Sequence, residues 1–297
     1  MPRLRIRGFE PGLPEATRRR VVLVLVAAVL GISSSAVIIR GIEADALAVA
    51  AWRTVVASAV LFPAARGELR RLGRRDLAKS GVAGIFLGLH FWLWFASLDH
   101  TTVLRSTVMV STVPVWTGLL EAALGRSPPA RYWVGTAIAL VGVGCLSAGS
   151  GGGGHLYGDA LAAAAAWMWA GYFVLGKDVR ARVGTVTWMC LACGAAALLL
   201  WPLALVGGVA VAGFSPLTWA LLGASILGPQ LIGHQGFAYA VRFLPAATLA
   251  TVALLEPVGA TLLAAVVLGE VPGPSALLGG GVLLAGVGWA TAEVAPE

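Results

Sequence analysis

Four ionisable side chains lie deep inside stretches of sequence that are otherwise apolar: Arg53, His90, His234 and Glu256. An ionisable group in such surroundings is costly and faces a protein interior or a water-filled cavity, so each is a candidate functional residue. A buried carboxyl group can exchange protons, histidine can change its charge near neutral pH, and arginine can hold a carboxylate through paired hydrogen bonds. These residue types therefore indicate proton exchange and the binding of small polar molecules.

Glu256 is followed directly by Pro257, within the apolar run ATVALLEPVGATLLAAVVLGE of residues 250–270. A proline removes one backbone donor and crowds the preceding turn, so Pro257 predicts a kinked helix and is a candidate hinge. Pro114 lies inside an earlier apolar run and is the second candidate hinge. Two interpretations of Glu256 remain open: a proton-coupling carboxylate, or a structural group that satisfies freed backbone groups or pairs with Arg53.

The other ionisable candidates also have two interpretations each. His90 and His234 either relay protons and bind polar ligand atoms, or are ordinary hydrogen-bonded residues of a core. Arg53 either binds a ligand carboxylate or anchors its own helix. Arg105, near one end of an apolar run, either attracts anions or extends its side chain toward water.

Aromatic side chains crowd two of the apolar runs, at residues 91–95 and 167–173. Ring faces can hold an apolar or cationic group, and Trp94 and Trp169 are the candidates for such contact with a ligand. The three cysteines lie inside apolar runs without a nearby histidine cluster, so we interpret them as small buried residues. We therefore expect no metal site and no cofactor.

The composition as a whole is that of a membrane protein. Of the 297 residues, 58% are hydrophobic and 12% are charged, with a mean hydropathy of +0.86, which argues against a soluble globular protein. Crossing the hydrocarbon core takes about 20 residues poor in charge. The sequence predicts an all-α integral membrane protein with ten transmembrane helices, at residues 21–39, 46–64, 80–98, 101–121, 132–149, 158–176, 185–207, 216–239, 244–268 and 275–292.

The basic residues predict the orientation of these helices. Of the 21 Lys and Arg residues, all except Arg40, Arg53 and Arg105 fall in the N-terminal tail or in loops on the same side of the predicted bundle. Excess positive charge marks the cytoplasmic side, so both termini are predicted to be cytoplasmic. The net charge of +7 then serves to orient loops, and we expect no nucleic-acid binding.

The chain contains an internal repeat. Pro114 and Pro257 are 143 positions apart, and the two histidines His90 and His234 are 144 apart. The offset of 144 also relates four pairs of glycines, at positions 125 and 269, 135 and 279, 142 and 286, and 144 and 288. A shared offset over so many positions indicates two copies of one structural unit.

Each copy holds five predicted helices. An odd number of crossings brings the second copy into the membrane from the opposite face, so we predict two inverted five-helix repeats. The predicted organisation is a basic cytoplasmic tail, the first repeat, a Gly-rich external linker, the second repeat and a short cytoplasmic tail, at residues 1–20, 21–150, 151–157, 158–292 and 293–297.

Two segments carry a resemblance to a known family: LHFWLWFASLDHTTVLRSTVMVSTVPV at 89–115 and LPAATLATVALLEPVGATLLAAVVLGE at 244–270. With the ten helices and the repeat, they are similar to the EamA family of the drug/metabolite transporter superfamily. The resemblance implies an exporter or exchanger of small metabolites, commonly amino acids and related compounds, in a bacterial inner membrane. Two features depart from the family pattern: Arg126 follows Gly125 where members have glutamate, and three serines replace a frequent tryptophan at 33–35.

We predict a secondary transporter that moves a small organic metabolite by alternating access through a cavity between the repeats. Its predicted partners are the lipid bilayer, a small-molecule substrate and, as candidate coupling ions, protons, with the protein either a monomer or a homodimer. The alternatives are an intramembrane enzyme and a non-transporting membrane scaffold. An enzyme would need a constellation such as HExxH or GxSxG, and the sequence contains neither, so we predict a protein that is not an enzyme.

Overall fold

The computed structural model describes residue 9 and residues 12–101, 103–147, 156–268 and 273–291. Within these ranges the chain forms helices joined by short connections and has no strand. Half of the N-terminal tail, most of the Gly-rich linker, the C-terminal tail and Gly269 of the repeat lie outside the described residues.

The helices of the first half are α1 Glu15–Arg40, α2 Ala46–Leu69, α3 Arg74–His100, α4 Val103–Val110, α5 Val113–Ala123 and α6 Ala130–Ser147. Those of the second half are α7 Leu156–Arg180, α8 Thr185–Val206, α9 Pro216–Ser225, a π-helix Ile226–His234, α10 Gln235–Ala240, α11 Ala246–Ala253, α12 Glu256–Leu268 and α13 Pro274–Thr291. Each apolar stretch predicted from the sequence coincides with one helix or with consecutive helical segments. Among the described residues, six segments are long and apolar enough to cross a membrane.

Local chemistry sets several helix boundaries. The Asp45 carboxylate accepts the amide N–H of Leu47 at 2.8 Å and so begins α2. Two residues after the end of α5 comes Gly125, whose φ of 76° lies in the left-handed region that glycine adopts without strain. The next amide, of Arg126, donates to the carbonyl of Glu121 at 2.8 Å, which completes a Schellman motif and fixes the backbone at this end.

Two predicted helices are divided into halves at matching positions. Turns at residues 111–112 and 254–255 separate α4 from α5 and α11 from α12. Helix α11 starts and ends 143 positions after α4, at 246 and 253 against 103 and 110, which is also the spacing of the two prolines. The repeat seen in the sequence is therefore also a repeat of helix boundaries.

At both prolines the structure has a break between two helices, where the sequence predicted a kink within one helix. Pro114 and Pro257 are each the second residue of a new helix, α5 and α12. A proline in the first turn needs no partner for its missing N–H, because that donor would be unpaired in any helix. The chain therefore stops one helix and starts another at each proline instead of bending one continuous helix.

A third irregular segment is the π-helix, whose hydrogen bonds run from residue i to i+5 and which contains Pro229. It packs against α1 at two glycines, Gly31 of α1 and Gly233 of the π-helix. The two backbones are so close there that a methyl group added at Gly31 would lie 2.8 Å from the amide nitrogen of Gly233. Its polar side chains Gln230 and His234 are both buried.

The helix contacts have the symmetry expected of two equivalent halves. In the chain order of the predicted helices, α1 corresponds to α7, α3 to the π-helix, and α4 and α5 to α11 and α12. Helix α3 packs on α7 as the π-helix packs on α1, and α4 and α5 pack on α7 as α12 packs on α1. Helices α6 and α13, the last of each half, pack on each other.

Candidate functional site

The two breaks face one small cavity at the centre of the bundle, which we call the central cavity. It has two connected recesses that share Trp94, Val110, Trp169 and Glu256. One recess is lined further by residues of the two breaks, namely Thr107, Ser111, Val113, Ala253, Leu254 and Pro257. The other is lined by Ile32, Ser35, His90 and His234. Each recess has a volume of about 10 Å³, close to what one water molecule requires.

Glu256 is the first residue of α12 and stands at the second break. Its side chain is partly exposed and lines both recesses of the central cavity. Its backbone carbonyl accepts a hydrogen bond from the Ser33 hydroxyl at 3.0 Å, which ties the break to α1. Among the described residues no ion pair joins Glu256 to Arg53, so the direct pairing considered from the sequence is not formed.

Arg53 is fully buried on α2, behind the wall of the cavity. Its Nε donates to Gln230 Oε1 at 3.0 Å, and its Nη1 lies 3.5 Å from the hydroxyl of Ser35, which lines the cavity. The guanidinium lies over the ring of Phe91, with 4.5 Å between its central carbon and the ring centroid. These contacts offset part of the cost of removing the cation from water, which is several kcal/mol.

His90 and His234, which share the offset of the repeat, are neighbours in the structure, with 6.3 Å between ring centroids. His90 Nδ1 lies 3.0 Å from the carbonyl oxygen of Ala165. A carbonyl only accepts, so Nδ1 carries the hydrogen and Nε2 is left as an acceptor in the neutral ring. The His90 ring also stacks on Trp169, with centroids 4.9 Å apart.

Trp94 and Trp169 line both recesses and are 7% and 3% exposed. The Nε1 atom of each is buried and has no hydrogen-bond partner among the described residues. A buried donor left unpaired is destabilising by about 1–3 kcal/mol, and an indole N–H can only donate. A ligand that fits this cavity would therefore offer hydrogen-bond acceptors to the two tryptophans.

Arg105 is not among the residues that line the central cavity. Its guanidinium pairs with both carboxylate oxygens of Asp159 at the start of α7, and the Thr101 hydroxyl donates to the same carboxylate at 2.9 Å. Asp159 is buried and was not selected from the sequence. The geometry thus gives Arg105 a defined role in joining α4 to α7, which neither sequence interpretation included.

Two further polar residues escaped the sequence analysis. Gln230 lies in the middle of an apolar stretch and could have been found by the same criterion as the ionisable residues. Glu121 falls at the edge of a predicted helix, where a carboxylate is ordinary, yet its side chain is 5% exposed. The part of the chain that the structure describes holds no group of three or more His, Cys, Asp and Glu side chains placed for a metal ion.

Comparisons with known proteins bear on what this cavity does. Each half of the chain matches the profile of the EamA-like transporter family, at residues 19–148 and 156–292. A probable terminal-alkyne amino-acid exporter from Streptantibioticus cattleyicolor is 30% identical over 242 residues, covering 79% of this chain and 80% of the relative. An uncharacterized transporter from Archaeoglobus fulgidus is 28% identical over 262 residues, covering 84% of this chain and 89% of the relative.

A solved crystal structure supports the fold alone. It superposes with a TM-score of 0.76 at 22% identity, over 91% of this chain and 97% of its own. The profile matches cover almost the whole chain, once in each half, and so agree with the repeated helix boundaries. The resemblance drawn from the sequence is confirmed, and this multi-pass membrane protein belongs to the EamA-like transporter family.

Proposed function

We propose that this protein is a secondary transporter that exports or exchanges a small organic metabolite of the amino-acid class by alternating access. The observation that carries the proposal is the pair of matched helix breaks facing one cavity. Transporters built from inverted repeats bind substrate near the bilayer midplane, between discontinuous helices of the two halves. The central cavity has this relation to α4–α5 and α11–α12.

The proposed topology has ten transmembrane segments in two inverted repeats, with both termini in the cytoplasm of a bacterial inner membrane. Matched helix boundaries and symmetric contacts support the repeats. The one-sided distribution of Lys and Arg supports the orientation. Under this topology α5 and α11 are the cytoplasmic halves of their broken helices, and α4 and α12 are the external halves.

The chemistry of the cavity wall supports an amino-acid substrate. The indole N–H groups of Trp94 and Trp169 suit a substrate carboxylate, and the carboxylate of Glu256 suits an ammonium group. The amino-acid export named for the relative from Streptantibioticus cattleyicolor points to the same class. Two recesses of about 10 Å³ each are too small for an amino acid, so the two breaks must move apart for the substrate to enter.

Purified protein reconstituted into proteoliposomes tests this function. We expect counterflow of at least one labelled member of a panel of amino acids, amines and nucleosides, with amino acids preferred. Vesicles without protein give the background. Absence of flux for every compound, from protein shown to be folded, would overturn the proposal.

The same vesicles test whether Glu256 couples transport to protons. If its carboxyl group carries the proton, Glu256→Gln should abolish stimulation by a pH gradient and leave counterflow measurable, because the amide cannot ionise. Glu43→Gln, at an exposed carboxylate between α1 and α2, is the matched control and should behave as wild type. Stimulation that survives unchanged in Glu256→Gln would assign this residue to structure alone.

A further inference from the structure

Glu121 and the start of α11 form a contact between the two halves of the protein. The Glu121 side chain reaches from α5 to α11 and accepts the amide N–H of Ala247 at 3.3 Å, with the amide of Ala246 also directed at the carboxylate. The residue before α11 is Pro245, and it provides no side-chain cap. The first amides of a helix lack partners within that helix, and Glu121, on another helix, provides the hydrogen-bond acceptor that Pro245 cannot.

The charge of Glu121 strengthens this contact. A carboxylate at a helix N-terminus meets unpaired N–H groups and the positive end of the helix dipole. The side chain is 5% exposed, so water screens the interaction little. The Schellman motif that ends α5 holds the Glu121 backbone in place, and α5 packs directly on α11.

A second group reinforces the same junction. The Tyr132 hydroxyl, from α6, donates to the carbonyl oxygen of Pro114 at 2.5 Å and also contacts Thr251 of α11. The first break and α11 are therefore joined by one contact beside Pro114 and by another two turns further along α5, at Glu121.

The contact lies at the basic end of the bundle. Arg126, five residues after Glu121, pairs with Asp178 at 2.9 Å, and Lys79 approaches the same carboxylate at 3.5 Å. Under the proposed topology this end is cytoplasmic. The cytoplasmic halves α5 and α11 pack on each other, whereas the external halves pack on other helices, α4 on α7 and α12 on α1.

The two repeats differ at this position. The residues 143 and 144 places after Glu121 are Ala264 and Ala265, so the second copy does not carry the carboxylate at either offset of the repeat. A contact that exists in one half of a symmetric pair makes the two ends of the transporter unequal in stability. It favours the state in which the cytoplasmic halves are together.

We propose that Glu121 is a positioning residue that holds the cytoplasmic side of the central cavity closed by capping α11, and that opening toward the cytoplasm requires this cap to break. The inference rests on the proposed function, since it assumes that the cavity opens alternately to the two sides. It assigns Glu121 no contact with substrate.

A cysteine in the cavity tests the proposal by reporting which side is open. Ser111→Cys lines the central cavity, and its reaction with a membrane-impermeant thiol reagent is measured in vesicles of each orientation. The same protein without the reporter gives the background from Cys145, Cys190 and Cys193. Adding Glu121→Ala should raise the cytoplasmic labelling rate about tenfold or more, since hydrogen bonds to a charged group are lost.

Two further variants separate a positioning role from a loss of folding. Glu121→Gln keeps the shape and one acceptor but loses the charge, so it should raise cytoplasmic labelling by less than Glu121→Ala. Glu68 is the matched control, because its carboxylate accepts the Gly184 amide at 2.8 Å and caps α8 from α2. Glu68→Ala should lower the melting temperature without changing the ratio of cytoplasmic to external labelling.

The possible outcomes separate a failure of the role proposed for Glu121 from a failure of the proposed transport function. Suppose that Ser111→Cys in otherwise wild-type protein reacts from both sides, and that adding Glu121→Ala leaves the ratio of cytoplasmic to external labelling unchanged. The role proposed for Glu121 is then wrong, and the proposed transport function is unaffected. If Glu121→Ala and Glu68→Ala shift the ratio equally, the effect is general loosening and the role is again wrong. If the wild-type reporter reacts from one side only, alternating access fails, and the role of Glu121 fails with it.

Discussion

Arg53 shows how a single buried charge is held inside this bundle. Its direct partners are a neutral amide, a hydroxyl at 3.5 Å and the face of an aromatic ring, and Nη2 has no partner among the described residues. A buried cation with few partners is sensitive to the loss of any one of them, because the remaining charge cannot return to water. Gln230 Oε1, at 3.0 Å, is the strongest acceptor that it has.

Gln230→Leu should therefore destabilise the protein. We expect a loss of about 2 kcal/mol, as for a hydrogen bond to a charged group, and a fall of about 5 °C in melting temperature. Thermal melting in detergent measures it. Gln235→Leu is the matched control on the neighbouring helix, because Gln235 Oε1 is buried without a partner and its removal should be neutral or stabilising. Equal melting temperatures for the two variants would contradict this account of Arg53.

At the scale of the residue, the sequence predicted which positions correspond between the two halves but not which side chains form hydrogen bonds with each other. The shared offset predicted that His90 and His234 occupy equivalent places, and they lie 6.3 Å apart. The pairing of Arg53 with Glu256 was inferred only from their opposite charges. In the structure Arg53 donates a hydrogen bond to Gln230 instead. Such a choice depends on side-chain directions across helices, and the π-helix that turns Gln230 inward has no periodic signal in the sequence.

At the scale of the element, close packing depends on which glycines of the repeat face a neighbour. Helices α6 and α13 approach so closely that a methyl group added at Gly142 would lie 2.7 Å from Leu283 Cα. Gly144 has open space around it, as do Gly280 and Gly281 on α13. All of these glycines are small residues suited to helix contacts. Which of them face the neighbouring helix depends on the rotation of each helix about its own axis.

Gly142→Ala should push α6 away from α13. We expect a destabilisation of about 1–3 kcal/mol, since the added methyl meets backbone atoms that cannot move aside cheaply. Gly144→Ala, half a turn along the same helix, is the control and should be neutral or stabilising, because alanine is the better helix former. Melting curves of the two single variants measure the difference. A Gly142→Ala protein as stable as the Gly144→Ala protein would show that the helices do not pack as described.

The breaks were only half predicted by the sequence. Two prolines at one offset predicted a distortion in each half, and the structure has one in each. Whether a proline bends a helix or ends it depends on whether the residues before it find other hydrogen-bond partners. At the second break the Ser33 hydroxyl, from α1, bonds the carbonyl of Glu256, and a contact of this range cannot be read from the local sequence.

At the scale of the whole molecule, the two halves are alike in helix boundaries and contacts but unlike in chemistry. Both have a proline at the break, whereas Glu256 and Glu121 each occur in one half only. Symmetry of the backbone makes two alternative states similar in energy, and under our proposal the Glu121 carboxylate, which has no counterpart in the second repeat, favours one of them. Composition was sufficient to predict a helical membrane fold, because it is a property of the whole chain. The family was predicted from the resemblance of two segments, at 89–115 and 244–270, together with the helices and the repeat.

The central claim is that the cavity between the two breaks opens in turn to each side of the membrane. The most direct test is the reactivity of Ser111→Cys, in otherwise wild-type protein, toward an impermeant thiol reagent added to either face. We predict reaction from both faces and slowing on both by a substrate found in the counterflow panel. Leu198→Cys, 79% exposed on the outer surface of α8, should react from neither face. Reaction of Ser111→Cys from one face only, whatever the substrate concentration, would contradict the account.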